Sequence, residues 1–187
     1  GPAPAPAGGA QRPGPSPCDS RTGGLHYAAL YTTLLEVALA LRHLHSLHLV
    51  HCDLKPSNVL LKASARDPRG FTAKLGDFGL VKLVVDDGTG QLVIGRDQHT
   101  GTITHMAPEL LRAGSAAGAP VDVFAFGVLM WECATGWPVY AGMAAGAIRD
   151  GVRYRGLRPT FPASVTPEYA ELARGCWAQE PGARPSA

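Results

Sequence analysis

Leu30, Leu34, Val37, Leu41, Leu44 and His48 recur at spacings of four, three, four, three and four. That is the stripe of an amphipathic helix beginning at Ala28 and ending near Leu47 or His48. Two short apolar runs follow, Val59-Leu60-Leu61 and Phe71 to Leu75, separated by a segment carrying Asp67-Pro68 and Gly70. Runs of that length around turn residues predict a small β-hairpin. From Gly76 to Arg112 no clean period survives, so the stretch reads as a long functional loop. Val121 to Ala134 is apolar nearly all round, apart from Asp122 and Glu132, and predicts a buried central helix. A further helix covers roughly Ala141 to Asp150. The last begins at Thr166-Pro167, with threonine as N-cap, proline at the first helical position and Glu168 in the first turn. The expected fold class is mainly α with a small β-hairpin.

Composition alters this picture chiefly at the start of the chain. Residues 1–24 are dominated by Pro, Ala, Gly and Ser and offer almost nothing to bury, so they read as a linker or insertion. Residues 25–187 then form one domain, as a chain of 187 residues with 45% hydrophobic and 17% charged residues allows. The net charge of +2 gives no sign of a nucleic-acid binder or a polybasic membrane surface. Cys18, Cys52, Cys133 and Cys176 stand far apart without a C-x-x-C pair, which points to a reducing, cytoplasmic compartment. No basic-then-apolar leader is read at the start. The most apolar stretch, Val123 to Trp131, is about half the length a membrane helix needs.

Candidate chemistry gathers in Leu49-Val50-His51-Cys52-Asp53-Leu54-Lys55-Pro56-Ser57-Asn58, followed by Gly76-Asp77-Phe78-Gly79 and Ala107-Pro108-Glu109. Asp53 can accept a proton from a hydroxyl, and Lys55 can neutralise developing negative charge. Asn58 with Asp77 can offer oxygen ligands to a hard divalent cation such as Mg²⁺. Phosphoryl transfer requires such a set. The run His43, His45, His48 and His51 invites a metal site, but no carboxylate or thiolate is placed to complete a tetrahedron, so these read as ordinary histidines. Trp131, Trp137 and Trp177 read as core.

The order and spacing of these motifs closely resemble the protein kinase family, with its H-x-D-x-K-x-x-N loop, D-F-G and A-P-E. The resemblance continues through Asp122-Val123-Phe124-Ala125-Phe126-Gly127 and through Cys176-Trp177, Glu180-Pro181 and Arg184-Pro185, and covers about Leu25 to Ala187. It implies a protein-kinase-like large lobe that uses ATP and Mg²⁺ and acts on a protein substrate with Ser or Thr. Asp53 would orient and deprotonate the hydroxyl, and Lys55 would contact the γ-phosphate. Asn58 and Asp77 would hold magnesium, and Val59, Leu60 and Leu61 would underlie adenine. His51 and Phe78, followed by Gly79, would belong to the internal spine that positions Asp77. Glu109 with Arg184 would form a buried ion pair, and Asp122 would hold the catalytic loop through its backbone. Lys55 together with Thr102 in G-T-x-x-x-A-P-E resembles serine/threonine kinases, and Thr102 joins the candidate catalytic residues. The G-T-I-T-H-M-A-P-E-L-L stretch looks most like the tyrosine-kinase-like group.

Two departures matter. Cys52 stands where most kinases have the arginine that pairs with an activation-loop phosphate. Activation is therefore expected not to depend on Thr89, Thr100 or Thr104, and alanine at all three in a full-length protein should leave most activity intact. Ahead of Gly24 there is no G-x-G-x-x-G strand-turn and no V-A-x-K lysine. This implies a large lobe without its small lobe, a fragment that is either an enzyme in its intact form or a catalytically inactive, pseudokinase-like binding module.

Overall fold

The structure, a computed structural model, describes residues 25–88, 92–94, 101–112 and 116–187. The segment expected to be a linker, with Cys18, and the loop residues Thr89 and Thr100 lie outside the described residues.

Helix α1 spans Tyr27–Ser46 and starts where His26 Nδ1 accepts the Ala29 N–H at 3.2 Å. Leu34, Val37 and Leu41 carry its buried face. The helix stops before His48, which was expected to close the stripe. His48 instead takes a left-handed φ of 57° and turns the chain into β1, Leu49–Val50. The predicted hairpin is β2, Val59–Ala63, paired antiparallel with β3, Phe71–Leu75, in a register that sets Val59 opposite Leu75. Arg69 fastens it to α1, with Asp67 at 2.7 Å and Glu36 at 3.0 Å, while Glu36 Oε2 also accepts the Ala73 N–H at 2.8 Å.

The stretch expected to be one long loop instead contains two strands. β4, Lys82–Asp86, pairs antiparallel with β1 on one side and with β5, Leu92–Ile94, on the other. Only Val84 of β4 is buried, while Leu83 is 60% and Val85 46% exposed. Apolar residues thus occupy both faces of the strand, which erases the alternation a sequence reading relies on.

Helix α2, Pro120–Thr135, is the centre of the core, with Phe124, Val128, Leu129 and Met130 almost completely buried. Each such side chain contributes roughly 1.5–3 kcal/mol by leaving water. Gly136 ends the helix in the left-handed conformation, at φ 70°. Helix α3, Ala145–Tyr154, begins four residues later than the expected Ala141 start. Tyr140 at φ 55° and Gly142 at φ 81° are left-handed, so the chain cannot be helical through residues 140–142 and α3 begins only beyond them. Helix α4, Pro167–Cys176, crosses α2, and the buried Tyr169 hydroxyl donates to the Met130 carbonyl at 2.7 Å. Thr166 occupies the N-cap position but makes no side-chain cap bond, and its N–H donates to the Tyr27 hydroxyl at 2.9 Å.

Trp177 is buried and stacks on Phe161 at 5.6 Å between ring centres, and the Trp131 indole donates to Thr160 O at 3.0 Å. Trp137, expected in the core, is 38% exposed, because it follows the Gly136 turn onto the surface. Among the described residues no helix is long and apolar enough to cross a membrane.

Candidate active site

The loop between β1 and β2 is held from below by one carboxylate. Asp122, at the start of α2 and 1% exposed, accepts the His51 N–H at Oδ2 (2.8 Å) and the Cys52 N–H at Oδ1 (2.9 Å). Charge-assisted bonds of this kind are among the stronger ones a protein makes. They hold Cys52 at φ 65°, a left-handed conformation that costs a non-glycine residue energy and that turns the next residue, Asp53, inward.

Asp53 is buried, and both of its oxygens are engaged. Oδ1 accepts from the backbone N–H and the hydroxyl of Thr102, each at 2.8 Å. Oδ2 accepts from Lys55 Nζ at 2.7 Å and from Asn58 Nδ2 at 3.1 Å. Lys55 also donates to the Thr102 hydroxyl at 2.8 Å, so Asp53, Lys55 and Thr102 close a triangle. Burial pushes the Asp53 carboxyl up, but the Lys55 and Thr102 bonds outweigh it and hold the group below its usual range. Thr102 reaches Asp53 because Gly101, at φ 143°, lets the chain pass the Cys52 carbonyl. A Cβ at Gly101 would lie 2.7 Å from that oxygen, so no other residue fits.

His51 is fully buried and its ring bridges two loops. Nε2 donates to Gly76 O at 2.9 Å, Nδ1 accepts the Asp53 N–H at 3.3 Å, and the ring meets Phe78 edge-on at 5.8 Å. Asp77 follows in a left-handed conformation, φ 57°, with its carboxylate exposed and accepting from the Gly79 N–H at 3.3 Å. Asn58, buried, commits Nδ2 to Asp53, at 2.7 Å to its carbonyl and 3.1 Å to its carboxylate. Its carbonyl oxygen is what remains to offer. An amide oxygen and an exposed carboxylate on adjoining loops are hard donors, and they fit a divalent cation such as Mg²⁺ better than a soft one. Leu60 and Leu61, on β2, are 57% and 60% exposed, and Leu60 lies against Gly76.

Two further predicted residues support the site from a distance. Arg184 meets Glu109 with two parallel bonds, 2.6 and 2.9 Å, both groups buried, and also donates to the carbonyls of Pro120 and Ala178 at 2.9 Å each. This ties the A-P-E segment to the N-terminus of α2 and to the end of the chain. Cys52 is a bystander chemically. Burial, with Asp122 and Asp53 nearby, pushes its thiol up to about 12, so it is no thiolate nucleophile.

Sequence reasoning missed His45. Its Nε2 lies 2.9 Å from Asp122 Oδ2, so it is a satisfied histidine, as the sequence allows, and a third donor on the carboxylate that holds the loop, a role the sequence does not single out. The signal was present: Leu34, Val37, Leu41 and His45 follow helical spacing, which puts His45 on the buried face of α1.

A sequence model of the protein kinase domain matches residues 18–187. A receptor-interacting serine/threonine-protein kinase 3 of Rattus norvegicus is 40% identical over 163 residues, 82% of this chain and 33% of that protein. A probable LIM domain-containing serine/threonine-protein kinase of Dictyostelium discoideum is 35% identical over 162 residues, 87% of this chain and 23% of its own length. The serine/threonine-protein kinase STY17 of Arabidopsis thaliana is 30% identical over 158 residues, 84% of this chain and 25% of that protein. The chain thus spans a third or less of each of these relatives. With the domain match covering nearly all of the sequence, this chain belongs to the protein kinase family.

Proposed function

We propose that this chain is the large-lobe part of a serine/threonine protein kinase of the tyrosine-kinase-like group that lacks the catalytic-loop arginine. It transfers the γ-phosphate of ATP to a protein hydroxyl. The observation that carries this reading is the triangle of Asp53, Lys55 and Thr102, with Asn58 on the same carboxylate. Its place is the cytoplasm, in keeping with the free cysteines Cys52, Cys133 and Cys176.

In this reading the substrate hydroxyl oxygen attacks the γ-phosphorus, the bond to the β–γ bridging oxygen breaks, ADP leaves, and the hydroxyl proton passes to Asp53. Asp53 serves because its depressed carboxyl is ionised at neutral pH, and because four donors fix its orientation. Lys55 supplies positive charge beside the transferring group, and Thr102 holds Lys55 and Asp53 together. Asn58 and Asp77 would hold Mg²⁺, which, when bound, neutralises the charge of the phosphates. Leu60, exposed on β2, supports the adenine.

The test is an ATP titration of the 187-residue chain with and without Mg²⁺, beside an Asp77→Asn control. In parallel, phosphoryl transfer to a serine/threonine peptide library is measured beside an Asp53→Asn control. Magnesium-dependent binding lost in Asp77→Asn supports the assignment of the site. A folded chain that binds no nucleotide, with transfer also absent, refutes catalysis by this chain and favours a binding role.

A further inference from the structure

The positive charge of this chain gathers in two stretches, and one of them is a short helix with the turn after it. Between residues 149 and 158 stand Arg149, Arg153, Arg155 and Arg158 against Asp150. That is a local net charge of +3 in a chain whose total is +2, matched only by residues 62–74 on the hairpin, where Lys62, Arg66, Arg69 and Lys74 stand against Asp67. Arg149 and Arg153 lie four residues apart on α3 and therefore share a face. Arg112, from the end of the A-P-E segment, adds a fifth guanidinium by donating to the Arg153 carbonyl at 3.5 Å.

These groups are not spent internally. Among the described residues, the ion pairs involve His45, Lys55, Arg69, His105 and Arg184, and none of them uses Arg112, Arg149, Arg153 or Arg155. Arg112, Arg149 and Arg155 are exposed. The Arg153 guanidinium lies 4.6 Å over the ring of Tyr154, itself 66% exposed, and its Nε is buried without a hydrogen-bond partner. Only Arg158 is absorbed by the fold, through the carbonyls of Leu157 and Trp177 and the side chain of Gln179.

The location gives the patch a purpose. Helix α3 packs against both short helices of the A-P-E segment, Ile103–His105 and Pro108–Leu111. The first of these follows directly on Thr102, which is bonded to Asp53. A polypeptide presenting its hydroxyl to Asp53 would run close to this face. Planar guanidiniums bind carboxylates through paired, parallel N–H groups, so the complementary chemistry is a run of Asp or Glu. Because the patch adjoins the segment that carries Thr102, a protein substrate is the occupant it fits, and a nucleic acid or an anionic membrane is the alternative the test must exclude.

Resting on the kinase reading above, we infer that Arg112, Arg149, Arg153 and Arg155 form a docking surface for an acidic segment of the protein substrate. The substrate class is therefore a serine or threonine flanked, near or at some remove, by Asp or Glu.

Fluorescence anisotropy of the whole chain tests this with two labelled peptides, a central serine flanked on both sides by Glu triplets and the same peptide with Gln. The Glu peptide should bind about tenfold tighter at low salt, as several partly exposed charge pairs acting together provide, and 0.5 M NaCl should remove most of the difference. In Arg149→Gln/Arg153→Gln/Arg155→Gln the preference should fall below about twofold. Arg149→Gln/Arg155→Gln, which leaves the partly buried Arg153 in place, should lower it while keeping the circular dichroism melt of the parent. Equal affinity for the two peptides overturns the inference, as does a preference that survives both variants. Tighter binding of an RNA homopolymer or of anionic vesicles than of the Glu peptide overturns it as well. Transfer of phosphate to the same peptides is scored separately. A chain that prefers the Glu peptide yet transfers nothing counts against the kinase reading alone, and one that phosphorylates both peptides with equal affinity counts against this surface alone.

Discussion

His45 Nε2 and Asp122 Oδ2 lie 2.9 Å apart, and the same Asp122 carboxylate accepts the backbone N–H groups of His51 and Cys52. One carboxylate at the head of α2 thus joins the last turn of α1 to the strained residue that precedes Asp53. Removing a donor from a buried charge leaves part of that charge unsatisfied, at roughly 1–3 kcal/mol. His45→Ala should therefore lower the unfolding free energy read from urea denaturation by an amount in that range. It should also speed hydrogen exchange at the His51 and Cys52 amides more than at amides of α4. His45→Gln, which keeps a donor, should recover part of both effects. Unchanged exchange at the two loop amides in His45→Ala would mean that Asp122 holds them without help.

Asp53 owes its low carboxyl to Lys55 and Thr102, against the opposing effect of burial. Removing the two side-chain donors in Lys55→Met/Thr102→Val leaves only the Thr102 N–H and Asn58 against burial, so the carboxyl should rise and titrate above its position in the parent. Carbon-13 NMR of the Asp53 carboxyl reads this directly. A signal that does not move would show that Asn58 and the loop backbone suffice to hold the ion.

Asp67 carries the same sign at the surface. Its bonds to Arg69 hold it down at about 2, below the roughly 3.9 of an unfolded aspartate. A carboxyl depressed in the folded state adds stability that is present above the unfolded value and lost as pH falls through the folded one. Asp53 acts in the same direction. The denaturant midpoint should thus be flat near neutrality and fall from about pH 4 towards pH 2. Asp67→Asn should flatten the lower part of that fall, and an unaltered profile in the variant would remove Asp67 from the account.

The hairpin and α2 were legible in the sequence because each buries a well-defined apolar run, and the site was legible because its motifs sit in fixed order. What escaped was tertiary. β4 pairs between β1 and β5 through its backbone, so Leu83 and Val85 can stay exposed and no alternation marks the strand. Helix α3 starts only after the left-handed Tyr140 and Gly142, a backbone turn that the alanine-rich stretch does not mark by period. His45 looked like one histidine among several until Asp122, 77 residues away, supplied its partner.

Arg184 and Glu109 form a buried pair whose removal from one side is the costly case. Arg184→Leu strands the Glu109 carboxylate, 6% exposed, and also frees the carbonyls of Pro120 and Ala178. Breaking a buried pair from one side costs about 3–5 kcal/mol, so the variant should be largely unfolded at 37 °C or show a strongly lowered denaturant midpoint. Glu109→Gln, which keeps an acceptor for Arg184, should lose clearly less. Equal losses in the two variants would mean that the charge itself, and not the stranded group, dominates.

Glycine to alanine in a helix usually stabilises by up to about 1 kcal/mol, because glycine gives up more backbone freedom on folding. Two helical glycines of this chain should respond with opposite signs. A Cβ on Gly127, in α2, would sit 2.9 Å from the Ala173 carbonyl oxygen, 3.0 Å from Cys176 Cβ and 3.2 Å from the Trp177 nitrogen. All of these belong to α4 or the residue after it, and two are backbone atoms that cannot step aside, so α4 must move off α2. Gly127→Ala should therefore cost about 1–3 kcal/mol, the range for overpacking a core. A Cβ on Gly175, in α4, meets nothing within 4 Å, so Gly175→Ala should raise the thermal midpoint slightly. Paired thermal melts decide the matter: two variants shifting in the same direction would mean that the close approach of α2 and α4 relaxes freely and does not set the position of Asp122 at the head of α2.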